Sequence, residues 1–383
     1  MEPEIDLDSF EPVARIVVIG VGGAGNNAVN RMIDDDIKDV EFYVLNTDKQ
    51  ALATSKAPFR IVLGEKVTSG LGAGGDPAVG KEAALQSTEQ IREIVKGADL
   101  VFIAAGMGGG TGTGAAPVIA SIAKEEGALT IAIVTRPFSF EGKRRIGNSV
   151  TGLNELKDAV DSIIIVSNDK LLSASGKRPV NDAFGDSDKV LAQSVRTVTD
   201  LILRPAVINL DFADVRATLK GSGLALIGFG SGTGQDKAIA AAESAINSPL
   251  LEASISGARK LIVAVTAGSN VSLFDAQECA TRISEAAGSN VDMMFGMNVN
   301  TAFEDTILVS VIASDFSSEY DFTSVPKYTP LTREDVGNGV EAAREEAVKA
   351  IEEKEKQSGD GEEDIREKIL PNFLKGMLGG DEE

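Results

Sequence analysis

The sequence predicts an α/β protein that opens with a Rossmann-like parallel-sheet domain and continues, after a central helix, into a smaller α/β domain. Short β-branched runs alternate with helical stretches over the first half, which is the pattern of a parallel sheet covered by helices. One long helical pattern follows at 181–203. Four more strand-like runs, again with helices between them, then occupy residues 220–317.

Chain length and composition fit this division. A chain of 383 residues is too long for one small core and suits two packed domains with flexible ends. No apolar run approaches the roughly 18 residues that a spanning helix needs, and the N-terminus is acidic rather than a basic signal region. We therefore expect a soluble, cytoplasmic protein. Its single cysteine, Cys279, cannot form an internal disulfide and is expected to be a buried thiol.

Charge and histidine content exclude several classes of function. The net charge of −21 disfavours direct binding to nucleic acid or anionic membranes, because both depend on Lys and Arg neutralising phosphates. The chain has no histidine, which removes Ser-His-Asp triads, Cys-His pairs and His-ligated zinc or iron. Any chemistry must therefore use carboxylates, amides, hydroxyls and bound cations.

The elements can be placed in order along the chain. Residues 1–12 carry five acids and no base, which predicts a solvated tail. Five strands are predicted in the first domain, at 15–20, 41–48, 99–106, 128–135 and 162–169. The helix at 181–203 has a broad apolar face and ends at Arg204-Pro205, so we expect it to form a core connection. The second domain has strand-like runs at 225–232, 260–268, 292–300 and 306–314.

The periodicity ends after residue 317. Residues 331–383 hold 16 acids and 8 bases, which predicts a disordered acidic linker. Apolar residues recur with a helical period at the extreme end, which predicts a docking peptide, although such an end could also fold back on its own core. The predicted boundaries are 1–12 for the acidic tail, 13–180 for the first domain, 181–219 for the core helix and following loop, 220–317 for the second domain, 318–365 for the linker and 366–383 for the docking peptide.

The most informative motif is the glycine-rich segment 106–114, between a predicted strand and a helix expected to begin near Ala115. Without Cβ atoms, backbone N–H groups can converge on phosphate oxygens, and the helix N-terminus adds its positive dipole end. Thr111 and Thr113 add hydroxyl donors. The segment lacks the lysine of a Walker A loop. A flexible loop without a ligand is the alternative, but the position between a strand and a helix favours an anion cradle.

Two further glycine segments bear on the ligand. Residues 20–25 satisfy G-x-G-x-x-G after a strand, and Asp48 ends the next strand where a ribose-binding acid of a dinucleotide fold would lie. Taken alone, this pattern indicates NAD. A third cluster at 70–75 supplies more N–H donors, and three such segments suit a triphosphate better than a pyrophosphate shared between two riboses.

The sequence resembles the tubulin/FtsZ family, and within it the bacterial cell-division members, over about residues 13–317. The segments VIGVGGAGNNAVNRM, NTDKQAL, GLGAGGDP, AAGMGGGTGTGAAPVIA, VTRPFSFEGKRR, SNDKLL, NDAF and NLDFADVR occur in family order. The resemblance implies a GTP-binding domain at 13–180, with GTP or GDP and Mg²⁺ as cofactors. The metal would be held mainly by the GTP phosphates and water, without a dedicated protein cage.

The resemblance also implies the residues of the nucleotide site. Asp188 is chemically suited to guanine, because a carboxylate can accept from both N1–H and the 2-amino group. Core packing for Phe184 and a solvated ion pair for Glu141 and Arg145 are the alternatives without the family. The implied nucleotide-binding residues are Gly22, Gly23, Ala24, Gly25, Asn26, Asn27, Asn46, Asp48, Ala73, Gly74, Gly75, Gly108, Gly109, Gly110, Thr111, Gly112, Glu141, Arg145, Asn168, Phe184 and Asp188.

A separate acidic pair completes the expected chemistry. Asp211 and Asp214 are three apart at the start of a predicted helix, so that spacing alone favours a helix cap. The resemblance implies that these two acids, with Asn209, enter the nucleotide pocket of the next subunit and polarise the attacking water. Phosphoryl transfer needs mainly positioning and charge stabilisation, so a carboxylate pair with Mg²⁺ suffices without histidine. Such a heterologous contact generates filaments.

The expected function is therefore a GTP-dependent, polymerising cytoskeletal GTPase of the division ring at midcell, active on assembly. An NAD-dependent oxidoreductase and a non-hydrolysing nucleotide-binding scaffold are the alternatives. The absence of histidine disfavours the first, and both acids of NLDFADVR disfavour the second. The end KILPNFLKG resembles the family's peptide for membrane tethers and division regulators, which implies partner contacts through Ile369, Leu370, Pro371, Phe373 and Leu374.

Overall fold

The structure is a computed structural model that describes residues 14–175, 180–204, 206–248, 250–288 and 290–316, with the side chains of 173–175 and 180–184 excepted. The predictions for the acidic tail at 1–12, the linker at 318–365 and the docking peptide at 366–383 lie outside the described residues. All described residues belong to one compact unit.

The described chain contains ten strands in one continuous sheet, in the order β3-β2-β1-β4-β5-β6-β7-β10-β8-β9. The strands are β1 (Ile16–Val21), β2 (Glu41–Asn46), β3 (Phe59–Val62), β4 (Leu100–Gly106), β5 (Leu129–Arg136), β6 (Ser162–Ser167), β7 (Gly223–Gly232), β8 (Ala258–Ala267), β9 (Asp292–Val299) and β10 (Ile307–Phe316). All pairs from β3 to the start of β7 are parallel. This confirms the predicted Rossmann-like parallel sheet.

Helices cover both faces of the sheet. They are α1 (Gly22–Asp34), α2 (Lys49–Ala53), α3 (Glu65–Thr68), α4 (Pro77–Gln86), α5 (Thr88–Val95), α6 (Thr111–Glu125), α7 (Lys143–Ala159), α8 (Asn168–Ser175), α9 (Val180–Leu203), α10 (Phe212–Leu219), α11 (Lys237–Ile246) and α12 (Leu273–Ala287). None of these described helices is long and apolar enough to cross a membrane.

Strand β4 shows how the two faces are built. Successive side chains of a strand point to opposite faces. Leu100 and Phe102 accordingly pack with apolar residues of α1, α9 and α10, whereas Val101 and Ile103 pack with residues of α4, α5, α6 and α7. Because both faces are covered, the strand is an almost continuous apolar run, and that run made it recognisable in the sequence.

The two halves of the described chain share strand β7. Its first residues, 223–225, pair in parallel with β6, whereas 226–232 pair antiparallel with β10. The second half continues the sheet through β10 and β8, which are antiparallel, and ends with β9 parallel to β8. Cys279 lies in the core of this half, and its thiol is buried as expected.

The central helix agrees with its prediction. α9 begins one residue before the expected 181 and ends at Leu203. Its residues Leu191, Val195 and Val198 are buried against the sheet. Strand β3 was not predicted from the sequence, because it is a four-residue edge strand whose first residue, Phe59, is half exposed.

Candidate active site

The topology places a candidate site at the carboxyl ends of the central strands. In the sheet β1 lies between β2 and β4, so the chain builds the sheet outward from β1 in one direction and then in the other. Ligands of open α/β sheets bind where the strand order reverses in this way. A cavity of about 280 Å³ opens there. It is lined by Val21, Gly22, Gly23, Ala24, Asn27, Gly106, Met107, Gly109, Gly110, Thr111, Gly112, Thr135, Pro137, Glu141, Arg145, Asn168, Ser187, Asp188 and Leu191.

The first glycine segment forms the start of helix α1 rather than a free loop. A Cβ on Gly25 would lie 2.2 Å from the carbonyl oxygen of Ala104 on β4, so glycine there permits close packing of helix on strand. A Cβ on Gly23 would meet no atom within 4 Å. Of the residues expected in this segment, the cavity wall contains Gly22, Gly23, Ala24 and Asn27, but neither Gly25 nor Asn26.

Asn26, Asn46 and Asp48 do not line the cavity. With its amide oriented to satisfy its neighbours, Asn26 donates to the Gly22 carbonyl at 2.8 Å and accepts from Asn46 at 3.2 Å. The Asp48 carboxylate caps α2 by accepting from the amides of Gln50 and Ala51 at 2.8 and 3.4 Å. The acid that suggested a dinucleotide fold is therefore used as a helix cap in this structure.

The main glycine segment forms a turn and then the first part of α6. This helix begins at Thr111, four residues before the expected Ala115. Glycines inside this helix have a steric reason: a Cβ on Gly112 would lie 2.6 Å from the Gly106 carbonyl oxygen, and one on Gly114 would lie 1.9 Å from the Pro77 carbonyl oxygen. These two glycines therefore permit helix packing, although the sequence suggested a loop. The first amides of α6 have no intrahelical acceptor and face the cavity end of the helix.

The turn before α6 is held by Thr113. Gly108 has a φ of 105°, and its amide donates to the Thr113 hydroxyl at 2.8 Å. Thr113 is buried and does not line the cavity, so its expected role as a donor to the ligand is not supported. Gly109, Gly110, Thr111 and Gly112 do line it, as expected, whereas Gly108 does not.

The third glycine segment packs on the outside of the main one. A Cβ on Gly110 would lie 2.8 Å from that of Ala73, which shows how closely the two segments approach. The Gly75 carbonyl accepts from Arg144 and from Asn148, both at 3.2 Å, and Asn148 also donates to the Gly108 carbonyl at 3.3 Å. Ala73, Gly74 and Gly75 are adjacent to the cavity but do not line it.

The opposite end of the cavity carries directional polar groups. The Ser187 hydroxyl donates to Asn168 Oδ1 at 2.8 Å, which leaves the amide nitrogen of Asn168 as a donor for a ligand. Burial raises the pKa of the Asp188 carboxyl to about 6, although the positive charge of Arg31 partly opposes this. Leu191, one turn further along α9, adds an apolar surface. This end can bind a flat polar ring with one acceptor group and two adjacent donor groups.

Glu141 and Arg145 form an ion pair at the cavity rim. Glu141 also accepts from the amide of Phe138 at 2.9 Å, so both of its carboxylate oxygens have a protein partner. In this arrangement Glu141 positions Arg145, whose side chain is more than half exposed and whose guanidinium carries positive charge at the rim. The side chain of Phe184 lies outside the described residues.

Seven residues of the cavity wall are absent from the predicted nucleotide-binding residues, although Val21, Gly106 and Met107 lie within the predicted glycine segments. The seven are Val21, Gly106, Met107, Thr135, Pro137, Ser187 and Leu191. Val21, Gly106 and Thr135 are strand ends, so the rule that parallel strands end at the same edge could have identified them. Ser187 and Leu191 adjoin Asp188 on one face of α9, which helical spacing could have shown.

The predicted catalytic residues lie outside this cavity. Asp211 is the N-cap of α10 and Asp214 its third residue, and the two form a reciprocal capping box. Asn209 accepts from the amide of Ala206 at 2.6 Å. Asn209 and Asp211 are exposed, and none of the three residues lines the cavity of its own chain.

Comparisons with known proteins decide the family. A model of the tubulin/FtsZ family GTPase domain matches residues 15–176, and a model of the FtsZ family C-terminal domain matches 223–317. The solved structure of an FtsZ dimer from M. jannaschii is 39% identical, covers 84% of this chain and 94% of its own, and has a TM-score of 0.77. The chain belongs to the tubulin/FtsZ family. The GTPase domain implies that this family member binds GTP or GDP.

Two more distant structures share the tubulin/FtsZ fold. A GDP-bound CetZ1 monomer from Haloferax volcanii is 20% identical, with 80% of this chain and 96% of that chain covered and a TM-score of 0.70. A GTPγS-bound CetZ2 protofilament from the same organism is 21% identical, with coverages of 88% and 99% and a TM-score of 0.67. The expectation of a bacterial member is not tested by these matches and stays a prediction.

Proposed function

We propose that this protein is a polymerising GTPase whose active site is completed by a neighbouring molecule of the same chain. GTP occupies the cavity with its phosphates at the start of α6 and its guanine beside Asp188. The acids Asp211 and Asp214 of the next subunit, with Asn209, orient the water that attacks the γ-phosphate. Filaments of this kind form the division ring at midcell in the cytoplasm, and the peptide at 366–383 contacts membrane tethers and regulators through Ile369, Leu370, Pro371, Phe373 and Leu374.

One observation carries this proposal: the described residues of the cavity wall include the groups for binding but no free acid for hydrolysis. Of its two acidic wall residues, Glu141 has both oxygens engaged within the protein and Asp188 lies at the guanine end. Asp211 is instead exposed and Asp214 half-buried, both outside the cavity. A site divided between two faces of one molecule requires a head-to-tail contact, and such a contact produces filaments unless it closes into a ring.

Apolar surface near both faces supports this association. Leu71, within the third glycine segment, and Phe140, next to Glu141, are 84% and 68% exposed. Val207, two residues before Asn209, is 67% exposed. Exposed apolar side chains favour burial in an interface. Among the related structures, the FtsZ of M. jannaschii is a dimer and CetZ2 is a protofilament.

The residues of the cavity fit a nucleotide that carries its own metal ion. The donors in its wall are mainly backbone amides and hydroxyls, which suit phosphate oxygens. In the described part of the chain no three acidic or cysteine side chains are arranged to hold a cation. Mg²⁺ bound with the nucleotide would be held mainly by the phosphates and water, where it would neutralise the charge that develops during transfer.

A mixing experiment tests whether the active site is shared. Asp211→Ala/Asp214→Ala lacks the acids but keeps the cavity. Gly109→Trp fills the cavity but should fold, because a Cβ at Gly109 meets no atom within 4 Å and its φ is not positive. We expect neither variant alone to release phosphate from Mg²⁺-GTP, and a mixture of the two to do so. A mixture as inactive as its components, with both variants folded and associating, would contradict the shared site.

Light scattering tests assembly on the wild-type protein. With Mg²⁺, scattering should appear with GTP, fade as phosphate is released, and stay absent with GDP or NADH. Turnover per molecule should rise with protein concentration, because only associated molecules have a complete site. Full turnover by a protein that stays monomeric would contradict the proposal.

A further inference from the structure

We infer that Thr47, a residue outside the cavity wall, is a positioning residue that sets the direction of the Thr111 hydroxyl toward the phosphates of the nucleotide. Thr47 follows β2 and has no solvent exposure. Its hydroxyl lies 2.7 Å from that of Thr111, the first residue of α6 and part of the cavity wall. The inference rests on the proposed function, because it concerns phosphate binding at the start of α6.

The hydrogen-bonding capacity of the two hydroxyls determines which of them donates to the other. Each hydroxyl has one hydrogen to donate and two lone pairs to accept. Either atom of the pair can be the donor in the structure as it stands. When a phosphate oxygen lies beside Thr111, the Thr111 hydroxyl must donate to it, because a phosphate oxygen accepts. Thr47 must then donate to Thr111.

The environment of Thr47 favours this direction. Among the described residues, Thr111 is the one hydrogen-bond partner of the Thr47 hydroxyl. A buried hydroxyl that did not donate would leave its hydrogen unsatisfied, which is unfavourable. Thr47 therefore orients the Thr111 oxygen and polarises its O–H group, since successive hydrogen bonds strengthen each other. This role cannot be predicted from the sequence, because Thr47 lies 64 residues before Thr111.

The backbone of Thr47 connects the same point to the third glycine segment. Its carbonyl accepts from the amide of Gly72 at 3.1 Å and from the Thr68 hydroxyl at 3.3 Å. These bonds do not depend on the side chain of residue 47. A substitution that removes only the hydroxyl should therefore leave the third segment in place and change only the orientation of Thr111.

Thr47→Val is the matched test, because it keeps the shape of the side chain and removes the donor, while Thr47→Ser restores the donor. Affinity is measured by competition against a fluorescent GDP analogue for GTP, GDP and guanosine. We expect Thr47→Val to weaken GTP and GDP binding by about 3- to 10-fold, the range of one neutral hydrogen bond, and to leave guanosine binding unchanged. Thr47→Ser should bind within about 2-fold of wild type, since its donor is retained.

A double-mutant cycle with Thr111→Val separates positioning from a general structural effect. If Thr47 acts through Thr111, Thr47→Val should cause no further loss of GDP affinity in the Thr111→Val background. Wild-type GDP affinity in Thr47→Val, an equal loss for guanosine and GDP, or additive losses in the double variant would each overturn the inference. Those outcomes leave the proposed GTPase standing, whereas a wild-type protein that binds no guanine nucleotide would overturn both.

Discussion

Asp211 and Asp214 are joined by two reciprocal hydrogen bonds at the start of α10. The Asp214 amide donates to Asp211 Oδ1 at 2.8 Å, and the Asp211 amide donates to Asp214 Oδ2 at 3.2 Å. Each carboxylate therefore uses one oxygen for the helix and keeps the other available. The capping role and the proposed catalytic role are compatible, because a cap that fixes both carboxylates also fixes the available oxygens.

Substitutions at Asp211 can separate the two roles. Asn is as good an N-cap as Asp, but it carries no charge. We expect Asp211→Asn to change the free energy of unfolding by less than about 0.5 kcal/mol and to lower GTP turnover by at least about 10-fold. Asp211→Ala should lose turnover and also about 1 kcal/mol of stability. Urea unfolding and phosphate release provide the two measurements, and normal turnover in Asp211→Asn would restrict Asp211 to capping.

Gly80 of α4 packs against the main glycine segment. A Cβ on Gly80 would lie 2.4 Å from the Gly110 carbonyl oxygen, a backbone atom that cannot move without displacing the cavity wall. We expect Gly80→Ala to destabilise the protein by about 1–3 kcal/mol and to weaken GDP binding, because overpacking shifts backbone. Thermal unfolding with and without GDP measures both effects.

Gly147→Ala on α7 is the control for that substitution. Gly147 is also helical, has no positive φ, and a Cβ there would meet no atom within 4 Å. Helix propensity alone should then stabilise the protein by up to about 1 kcal/mol. Equal effects of the two substitutions would show that the close contact at Gly80 is unimportant.

Asn148 should hold the third glycine segment against the turn before α6. Its side-chain amide donates to the carbonyls of Gly75 and Gly108, which belong to the two segments. We expect Asn148→Ala to accelerate amide hydrogen exchange at 70–76 and to weaken GTP binding several-fold. Asn154→Ala, which removes a bond to the Val150 carbonyl within the same helix, should leave exchange at 70–76 unchanged. Unchanged exchange in Asn148→Ala would contradict this role.

The sequence predicted the parts of this protein that depend on local patterns. Buried parallel strands appear as continuous apolar runs, so β1, β4, β5 and β6 were located within a few residues. The edge strand β3 was missed, because four half-exposed residues carry little pattern. The glycine segments were found, but several of their glycines serve helix packing, and only the distances from Gly25 and Gly114 to neighbouring carbonyls reveal this.

Site residues that the family resemblance implies could be predicted from the sequence. Residues that act through contacts between distant segments could not. Thr47 and Asn148 act through contacts with residues 64 and 73 positions away in the chain. Such contacts leave no spacing signal in the sequence. Asp48 shows the converse, because its spacing suggested a ribose-binding acid while its carboxylate caps α2.

Asp188 should bind the nucleotide and should also make the nucleotide-free protein less stable as pH rises. Burial raises the pKa of its carboxyl to about 6 from an unfolded value of 3.8. Between these pH values the folded protein keeps a proton that the unfolded chain has lost, so this group lowers the free energy of unfolding as pH rises from about 4 through 6. The full effect above pH 6 is at most about 3 kcal/mol.

Asp188→Asn removes this charge and should therefore gain stability over wild type as pH rises. Urea unfolding of the nucleotide-free proteins at pH 5, 6, 7 and 8 should show a difference that increases up to about pH 7 and then stays constant. Glu82→Gln on the exposed face of α4 removes a charge without a burial cost and is the control. The same Asp188→Asn protein should lose most of its GDP affinity, because an amide offers one acceptor instead of two to guanine. A difference in stability that does not vary with pH would show that the Asp188 carboxylate carries no burial cost.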